Sequence, residues 1–456
     1  MKIGFLPLYI KLYDDINYDR TSLENFYREV ASLFQKKGVD VVTCDFCRIK
    51  SEFDKAVSEF EANEVDAIVT WHAAYSPSLE SIVALIKTSL PIIVFDSTPT
   101  LEFSPTQNPD EIMPNHGIHG VMDMCSMLTR YGKPYAIAAG HIDTSDVIDR
   151  VCGFVRAAVA AKALSKMKVG LFGGAFDGMG DFSVEPSELK NRFGIHVEDV
   201  DLDYVEKIRN AVTDEEIAQE KKADHERFVF DDNIVEDEYD AYLKACIALR
   251  KAVKEFGYTA FSANFLNVKK LGTMPFTECC KQMESGIGYA GEGDALTAAF
   301  VGAFLSVYPE TNFVEIFCPD WVNNSVFMSH MGESNYRVAE GKPLLSRTGS
   351  SFVNGSMPYA GYCRMKAGNG VYINVSRDKD EYKLVIVPAK MLPATTDSFT
   401  HSMRGWMQPE TLTSTSQFLE KLSENGATHH SVFIYGAQAE QIEFFGKLLS
   451  MKIVRI

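Results

Sequence analysis

A chain of 456 residues is too long for one ordinary hydrophobic core, so two or three domains are expected. Hydrophobic residues make up 46% of the chain and aromatic residues 11%, which excludes general disorder. The formal charge of -17 works against a nucleic-acid backbone or an anionic membrane surface as partner, because binding to either needs clustered Lys and Arg, and it favours a neutral or cationic small molecule.

Cysteine usage and the first residues bear on the compartment. Nine cysteines are scattered without the regular spacing of a small secreted domain, which favours a reduced environment. The opening MKIGFLPLYI lacks the long apolar core and cleavage site of a signal peptide, and no run of about 18 apolar residues occurs. We therefore expect a cytoplasmic protein that binds neither nucleic acid nor membrane.

Residues 1–155 predict an N-terminal Rossmann-like α/β domain. The strand-like segments KIGFLPL, DAIVTW, PIIVFD and YAIAAG alternate with amphipathic helices. Thr21 and Glu24 have the spacing of a capping box and predict the start of the first long helix. Short, unbroken apolar strands between amphipathic helices are typical of a parallel sheet covered on both faces.

Residues 156–312 predict a central α/β domain. A long Ala-rich helix from about Asp146 to Lys166 leads to the strand-like KVGLFG. The glycines of the following GGAFDGMG are interpreted as turn residues, because the segment is not a convincing dinucleotide or phosphate loop. The acidic segment from Asp214 to Asp240 predicts a solvated helical excursion, and a further helix is expected from about Glu238 to Phe256.

Residues 313–456 predict a C-terminal β-rich domain. VYINVS, the charged turn RDKDE and YKLVIVP have the pattern of an antiparallel hairpin, and HHSVFIYG is another strand candidate. Only short helices are expected there, such as Ser414–Leu422 and Ala439–Leu449.

The segment GYAGEGD places Glu292 between two glycines, directly before the apolar, helix-like ALTAAFVGAF. One interpretation is structural, with Asp294 as the N-cap of the helix and Glu292 as an acid in the first turn. The other is functional, and it requires partners elsewhere in the chain.

Glu315, His330 and the pair His429–His430 are the candidate partners. Glu315 interrupts the apolar NFVEIFCP, where a buried carboxylate needs a partner, a shifted pKa or a metal, unless the strand lies at an edge and Glu315 faces water. His330 follows an apolar stretch, and strand alternation predicts that one histidine of the pair points inward and the other outward. Two carboxylates and two imidazoles suit Mn²⁺, Co²⁺ or Mg²⁺, and the absence of thiolate argues against structural zinc.

These four stretches, in this order, resemble the L-arabinose isomerase family. GIGYAGEGDALTAA resembles the block with the family's first catalytic and metal-binding Glu, and TNFVEIF the block with the second. FMSHMGE and GATHHSVF resemble the segments that supply the two metal-ligand histidines. The resemblance assigns these roles to Glu292, Glu315, His330 and His430. It also implies that the glycines beside Glu292 leave room for a metal and a sugar to approach the backbone.

Further segments agree with the resemblance, and some depart from it. AFSANF and PNHGIHG map Phe265 and His119 to substrate-binding positions, and Phe317, which stands where the family carries a Tyr, is expected to be a third. Ala295 replaces a family Trp, and the family's Gln-x-Leu-Tyr sugar-contacting element is not recognisable near the N-terminus. These departures concern the choice of sugar.

The resemblance implies two Rossmann-like parallel-sheet domains followed by a β-rich, antiparallel barrel-like domain. It also implies aldose–ketose isomerisation of a monosaccharide through a cis-enediol with a divalent metal, Mn²⁺ before Co²⁺ or Mg²⁺. Homotrimers or homohexamers are implied, with active sites between subunits and His119 coming from the neighbouring chain.

Two alternatives stay open. One is an isomerase of another aldose, of fucose, galactose or furanose type. The other is a non-catalytic sugar-binding or sensing protein, which should have lost one of the four ligands.

Overall fold

The computed structural model describes residues 1–16, 18–349, 357–394 and 396–456. The chain divides into two units, the first formed by residues 1–162 and 440–448 and the second by residues 163–439 and 449–456. In these described ranges no helix combines the length and the apolar character needed to cross a membrane. The domain boundaries expected near residues 155 and 312 stay predictions.

The first unit is built on a parallel sheet in the order β2-β1-β3-β4-β5. Its strands are β1 (Lys2–Leu8), β2 (Asp40–Thr43), β3 (Ala67–His72), β4 (Ile92–Asp96) and β5 (Tyr135–Ala139). The helices of this part of the chain are α1 (Lys11–Asp15), α2 (Thr21–Lys36), α3 (Lys50–Ala62), α4 (Ser78–Lys87), α5 (Ile112–Asn115), α6 (Ile118–Arg130) and α7 (Val147–Leu164), whose last two residues fall in the second unit. Every residue of β3 is buried, as expected for a central parallel strand.

The capping box predicted at Thr21 and Glu24 is wrong. Helix α2 begins at Thr21 itself, so that Arg20 occupies the N-cap position, and the Arg20 side chain makes no capping hydrogen bond. The hydroxyl of Thr21 instead donates to Asp19 Oδ1 over 2.6 Å, and the Thr21 amide donates to the same oxygen over 3.0 Å. Asp19 therefore takes over the role that the sequence pattern assigned to Thr21.

The second unit contains a parallel sheet in the order β10-β9-β6-β7. Its strands are β6 (Lys168–Phe172), β7 (His196–Asp199), β9 (Ala260–Ala263) and β10 (Gly288–Gly291), and β8 (Val229–Phe230) belongs to a small separate sheet. The helices are α8 (Pro186–Phe193), α9 (Leu202–Asn210), α10 (Asp214–Arg227), α11 (Glu236–Phe256), α12 (Phe276–Glu284) and α13 (Ala295–Leu305). The predicted parallel-sheet α/β architecture is therefore confirmed.

The acidic segment forms the expected helix, α10, and most of its residues are exposed, but one side of the helix is buried. Glu220 and Asp224, on one side of α10, are buried, and both accept hydrogen bonds from Lys281. Arg250 of α11 adds a bidentate salt bridge to Glu220, with both N–O distances at 2.7 Å. Because cations from α11 and α12 satisfy these carboxylates, α10 packs against the unit despite its composition.

The C-terminal part forms a closed antiparallel barrel, as the predicted fold class required. Its six strands follow the order β15-β18-β11-β12-β17-β16, and pairing of β15 with β16 closes the ring. The bounds are β11 (Thr311–Asp320), β12 (Ser325–Ser329), β15 (Gly368–Asp378), β16 (Glu381–Met391), β17 (Gly405–Pro409) and β18 (His430–Tyr435). The hairpin predicted from VYINVS and YKLVIVP is thus β15 and β16.

The remaining elements of the C-terminal part are short. Strand β19 (Lys452–Arg455) adds to β16 in parallel, and β13 (Leu344–Arg347) with β14 (Tyr359–Tyr362) completes the small sheet of β8. The two short helices expected here are α14 (Thr415–Glu424) and α15 (Ala439–Leu448).

Helix α13 connects the central sheet to the barrel. All of its residues are buried, and it packs against β6, β9 and β10 on one side and against β11 and β18 on the other. A helix that is apolar all round is buried all round. The segment that precedes α13, residues 292–294, is consequently brought beside the barrel strands.

Candidate functional site

Glu292 follows the last residue of β10 and has an unusual backbone conformation. Its φ is +64°, in the left-handed region that residues other than Gly seldom adopt. Its amide donates to the carbonyl of Ala263 over 3.0 Å, and its carbonyl accepts from the amide of Phe176 over 2.9 Å. Two main-chain hydrogen bonds therefore hold a strained residue in place, as is common at functional sites.

Neighbouring protein atoms leave no room for a side chain at either of the glycines beside Glu292. A Cβ on Gly291 would lie 2.9 Å from Cε1 of His330. A Cβ on Gly293 would lie 2.3 Å from Cα of Ala175, and the φ of Gly293 is +88°. The space that the sequence interpretation reserved for a metal and a sugar is thus filled by an imidazole ring and a neighbouring loop.

The register of the barrel strands aligns the other candidates. Glu315 lies inside β11, paired with His430 on β18 on one side and with Ser329 on β12 on the other. Residues directly opposite each other in an antiparallel pair share a face, so Glu315 and His430 point the same way. His330 follows Ser329 at the end of β12. Since β11 lies between two strands, the edge-strand interpretation of Glu315 is excluded.

His330 is oriented by a buried carboxylate. Its Nδ1 donates to Oε2 of Glu333 over 2.7 Å, and the same oxygen accepts from the amide of Gly332 over 2.9 Å. The other oxygen of Glu333 accepts from the hydroxyl of Tyr289 over 2.7 Å. Because Nδ1 carries the hydrogen, Nε2 presents a lone pair.

His430 is oriented in the same manner by Asp294. Nδ1 of His430 donates to Oδ2 of Asp294 over 3.0 Å, and both side chains are completely buried. Oδ1 of Asp294 accepts from the amide of Thr297 over 2.8 Å, so Asp294 is also the N-cap of α13, as the structural interpretation predicted. Metal-binding histidines usually have a carboxylate or carbonyl on the second nitrogen, and both rings follow this pattern.

The side chains of Glu292, His330 and His430 meet in one place. Each offers a donor atom, and these atoms lie within 4.8 Å of one another. Oε2 of Glu315 lies 3.9 Å from Nε2 of His330. Nε2 of His430 is buried without a hydrogen-bond partner, 3.3 Å from Oε2 of Glu292. A buried imidazole nitrogen without a partner, facing a carboxylate, fits a divalent cation between them.

The ionisation of the four groups reflects burial and mutual charge. Burial raises the pKa of Glu292, but the neighbouring imidazoles of His429 and His430 outweigh burial and hold it well below its usual range. Burial is the main cause of the raised pKa of Glu315. Burial lowers the pKa of His430, but Asp294 and Glu292 outweigh it and raise the pKa to about 9. The electrostatics therefore favour positive charge between the two glutamates.

Aromatic rings enclose the imidazoles. The ring of Phe182 stacks on that of His430 at a centroid distance of 4.8 Å and an angle of 11°. Phe313 lies 4.7 Å from the ring of His330 and 5.0 Å from that of His430. Both phenylalanines are buried, so they limit the access of water to the site.

His429 and Asp181 are also part of the site, although the sequence analysis considered His429 only as one member of the histidine pair and gave Asp181 no role. Asp181 Oδ2 accepts from Nδ1 of His429 over 2.7 Å and from its amide over 2.9 Å. Nε2 of His429 lies 3.6 Å from Oε2 of Glu292, while the side chain is 34% exposed. The more exposed histidine of the pair thus also reaches the site. The signal available in the sequence was Asp181 itself, an acidic residue at the end of the glycine-rich segment.

The three residues predicted to bind substrate lie in different surroundings. Phe265 is half-buried, with its ring 5.6 Å from that of Phe176. Phe317 is the extra residue of a β-bulge in β11 and is 42% exposed. His119 belongs to the first unit, where it is exposed and its ring lies 5.0 Å from that of Tyr75. Their substrate-binding roles stay predictions.

Comparison with known proteins agrees with the geometry. The L-arabinose isomerase central domain matches residues 172–308, and the L-arabinose isomerase C-terminal domain matches residues 310–452. L-arabinose isomerase 2 of Bacillus licheniformis is 24% identical over 86% of this chain and 85% of its own length. The L-arabinose isomerase of Oceanobacillus iheyensis is 23% identical over the same two shares.

Solved structures contribute little to the comparison. A periplasmic solute binding protein from Actinobacillus succinogenes 130z with bound D-allose matches 67% of this chain and 89% of its own. It is 13% identical with a TM-score of 0.17, which supports no argument about fold or function.

Proposed function

Because the chain belongs to the L-arabinose isomerase family and is an aldose–ketose isomerase, we propose that it depends on a divalent metal and works through a cis-enediol. Nε2 of His430 is the observation that carries the metal dependence, since it is buried, lacks a hydrogen-bond partner and lies 3.3 Å from a glutamate oxygen. Glu292, Glu315, His330 and His430 would hold the ion. Their mixed oxygen and nitrogen donors suit Mn²⁺ first, then Co²⁺ or Mg²⁺.

The proton transfer is assigned to the two glutamates. Isomerisation removes a proton from C2 of an aldose and delivers one to C1, so it needs a base and an acid near adjacent carbons. Glu292 at the end of β10 and Glu315 within β11 supply one carboxylate from the central sheet and one from the barrel. When bound, the divalent ion would supply Lewis-acid polarisation of the sugar's O1 and O2 oxygens.

Other side chains keep these groups in position. Asp294 and Glu333 hold the two histidines with Nε2 directed at the glutamates. Phe182 and Phe313 cover the imidazole rings, which lowers the local polarity and strengthens charge interactions in the site. We also propose, from the family resemblance, that the protein is a homo-oligomer in which His119 of a neighbouring subunit joins Phe265 and Phe317 at the sugar site.

The substrate is proposed to be a monosaccharide aldose, with L-arabinose as the first candidate because the relatives carry that name. Ala295 and Phe317 stand where the family resemblance places Trp and Tyr, so aldoses of fucose, galactose and furanose type are tested beside it.

The test is to incubate metal-free and Mn²⁺-loaded protein with a panel of aldoses and ketoses and to follow their interconversion by NMR. Solvent deuterium should appear at C1 or C2 if a proton is exchanged during an enediol reaction. Glu292→Gln should lower kcat by at least about 1,000-fold, because the amide cannot accept the proton. Glu226→Gln, on the exposed side of α10, is the matched control and should keep wild-type activity.

Full activity without metal, or undiminished turnover by Glu292→Gln, would contradict the proposed mechanism. A sugar that binds tightly and never reacts would favour a sensing protein instead.

A further inference from the structure

The glycine-rich loop, residues 173–182, links β6 to the segment before α8 and forms a wall of the site. Its Phe176 amide donates to the carbonyl of Glu292, and its Ala175 backbone fills the space beside Gly293. Asn264, the residue after β9, anchors the loop, because its side-chain amide donates to the carbonyl of Ala175 over 3.0 Å. The loop is therefore fixed to the same strand ends that carry Glu292.

Asp181 lies near the end of this loop and accepts two hydrogen bonds from His429. One oxygen, Oδ2, accepts from the main-chain amide of His429 over 2.9 Å and from Nδ1 over 2.7 Å. An ionised carboxylate only accepts hydrogen bonds, so Nδ1 must carry a hydrogen. The two contacts together fix the position of the residue, the plane of its ring and the nitrogen that is protonated.

These two hydrogen bonds direct Nε2 of His429 at the carboxylate of Glu292. The two atoms Nε2 and Oε2 are 3.6 Å apart, and the ring of His429 lies 4.3 Å from that of His430. Without Asp181 the ring would be free to turn toward water, because 34% of the His429 side chain is exposed. Phe182, the next residue, is buried against His430 and keeps the loop close to the histidine pair.

We propose that Asp181 is a positioning residue that acts through His429, holding its Nε2 beside the Glu292 carboxylate so that Glu292 keeps one orientation during proton transfer. This inference rests on the proposed function of Glu292. Displacement of a reacting group by a fraction of an ångström is expected to affect kcat more than substrate binding.

The experiment compares the wild type with Asp181→Ala, His429→Gln and the double variant, all loaded with Mn²⁺. Asp181→Ala should lower kcat by about 10- to 100-fold, and KM and the Kd for Mn²⁺ measured by calorimetry should each change by less than about threefold, within the scatter of surface substitutions. If Asp181 acts only through His429, the double variant should be no slower than His429→Gln alone. Asp177→Ala, an exposed aspartate of the same loop, is the matched control and should behave as the wild type.

A second measurement needs no sugar. In protein labelled with ¹⁵N in histidine, the signals lost in His429→Gln identify this ring, and they should show a hydrogen fixed on Nδ1 in the wild type. Asp181→Ala should shift these signals toward a mixture of both tautomers, while the thermal midpoint stays within a few degrees of the wild type.

Additive losses in the double variant, or an unchanged His429 signal in Asp181→Ala, would overturn the inference. So would a loss of Mn²⁺ affinity equal to the loss of kcat, since this would place Asp181 in metal binding. If wild-type protein converts no sugar, the proposed function fails, while the histidine signals still decide whether Asp181 positions His429.

Discussion

The carboxylate of Asp294 serves a helix and a histidine at once: Oδ1 accepts from the first turn of α13 and Oδ2 accepts from Nδ1 of His430 over 3.0 Å. The structural interpretation of the segment is therefore confirmed for Asp294 and wrong for Glu292, which precedes the N-cap and is not an acid of the first turn. A metal-binding role of the segment stays a proposal. The two roles of Asp294 are separable by substitution, because an amide keeps one accepting oxygen.

Asp294→Asn should separate the cap from the metal site. The Asn oxygen still accepts from Thr297, so the unfolding free energy of the metal-free protein should fall by about 1 kcal/mol or less. The Asn NH₂ would face Nδ1 of His430 and favour the wrong tautomer, so the Kd for Mn²⁺ should rise about 10- to 100-fold. Urea unfolding and calorimetry measure the two effects.

Thr213→Ala is the control for Asp294→Asn, since it removes the capping box of α10. It should lower stability by about 1 kcal/mol and leave the Kd for Mn²⁺ unchanged. Equal Mn²⁺ affinity in wild type and Asp294→Asn would argue against a role of Asp294 in orienting His430.

Gly293→Ala should be more costly than a glycine substitution in open space. Its new methyl would lie 2.3 Å from Cα of Ala175, whereas Gly286, with a φ of +99°, has no atom within 4 Å of the same position. Gly286→Ala should lose about 1 kcal/mol of unfolding free energy through its backbone alone. Gly293→Ala should lose about 3 kcal/mol or more, because the loop must also move. If Gly286→Ala and Gly293→Ala lose equal unfolding free energy in denaturant melts, the loop moves without an energetic cost.

Glu220 should stabilise the protein in a pH-dependent manner. Burial raises its pKa, but Arg250 and Lys281 outweigh burial and lower the pKa from 4.5 to about 2. A carboxyl with a lowered folded-state pKa stabilises fully above pH 4.5, and this contribution disappears as the pH falls toward 2. Glu220→Gln should therefore cost about 3 kcal/mol at pH 7 and progressively less between pH 4.5 and 2.

Urea unfolding at several pH values measures this difference between wild type and Glu220→Gln. Glu226→Gln, an exposed change in the same helix, should follow the wild-type curve at every pH. A Glu220→Gln deficit that stays constant from pH 7 to pH 3 would refute the assignment.

Divalent metal should stabilise the folded chain. At a free Mn²⁺ concentration of 100 times its Kd, the unfolding free energy should rise by about 2.7 kcal/mol, and a chelator should reverse the gain. His330→Gln should abolish the rise, and His401→Gln, which changes an exposed histidine paired with Asp231, should preserve it. Identical melting curves with and without Mn²⁺ for the wild type would count against a metal site.

Patterns within one element were readable from the sequence, and contacts between distant elements were not. Strand alternation predicted β15 and β16, and the polar residues in apolar surroundings drew attention to Glu315 and His430. Asp181 and His429 are 248 positions apart, and nothing local indicates that they touch. The buried side of the acidic α10 was missed for the same reason, since the cations that neutralise Glu220 come from α11 and α12.

The two capping predictions had opposite outcomes. Asp294 caps α13 as expected, whereas the capping box that the structure shows at α10, between Thr213 and Glu216, was not predicted. At α2, Asp19 binds both groups of Thr21, and the helix starts one residue earlier than the motif requires. A side chain two positions away was enough to change which residue begins the helix.

The separation of Asp294 and His430 by 136 positions also has a consequence during synthesis of the chain. When Glu292 and Asp294 leave the ribosome, the strand that carries His430 has not been made. A nascent chain therefore cannot assemble the four-residue set until the barrel strand β18 has emerged, and loading with metal is expected to follow translation rather than to guide it.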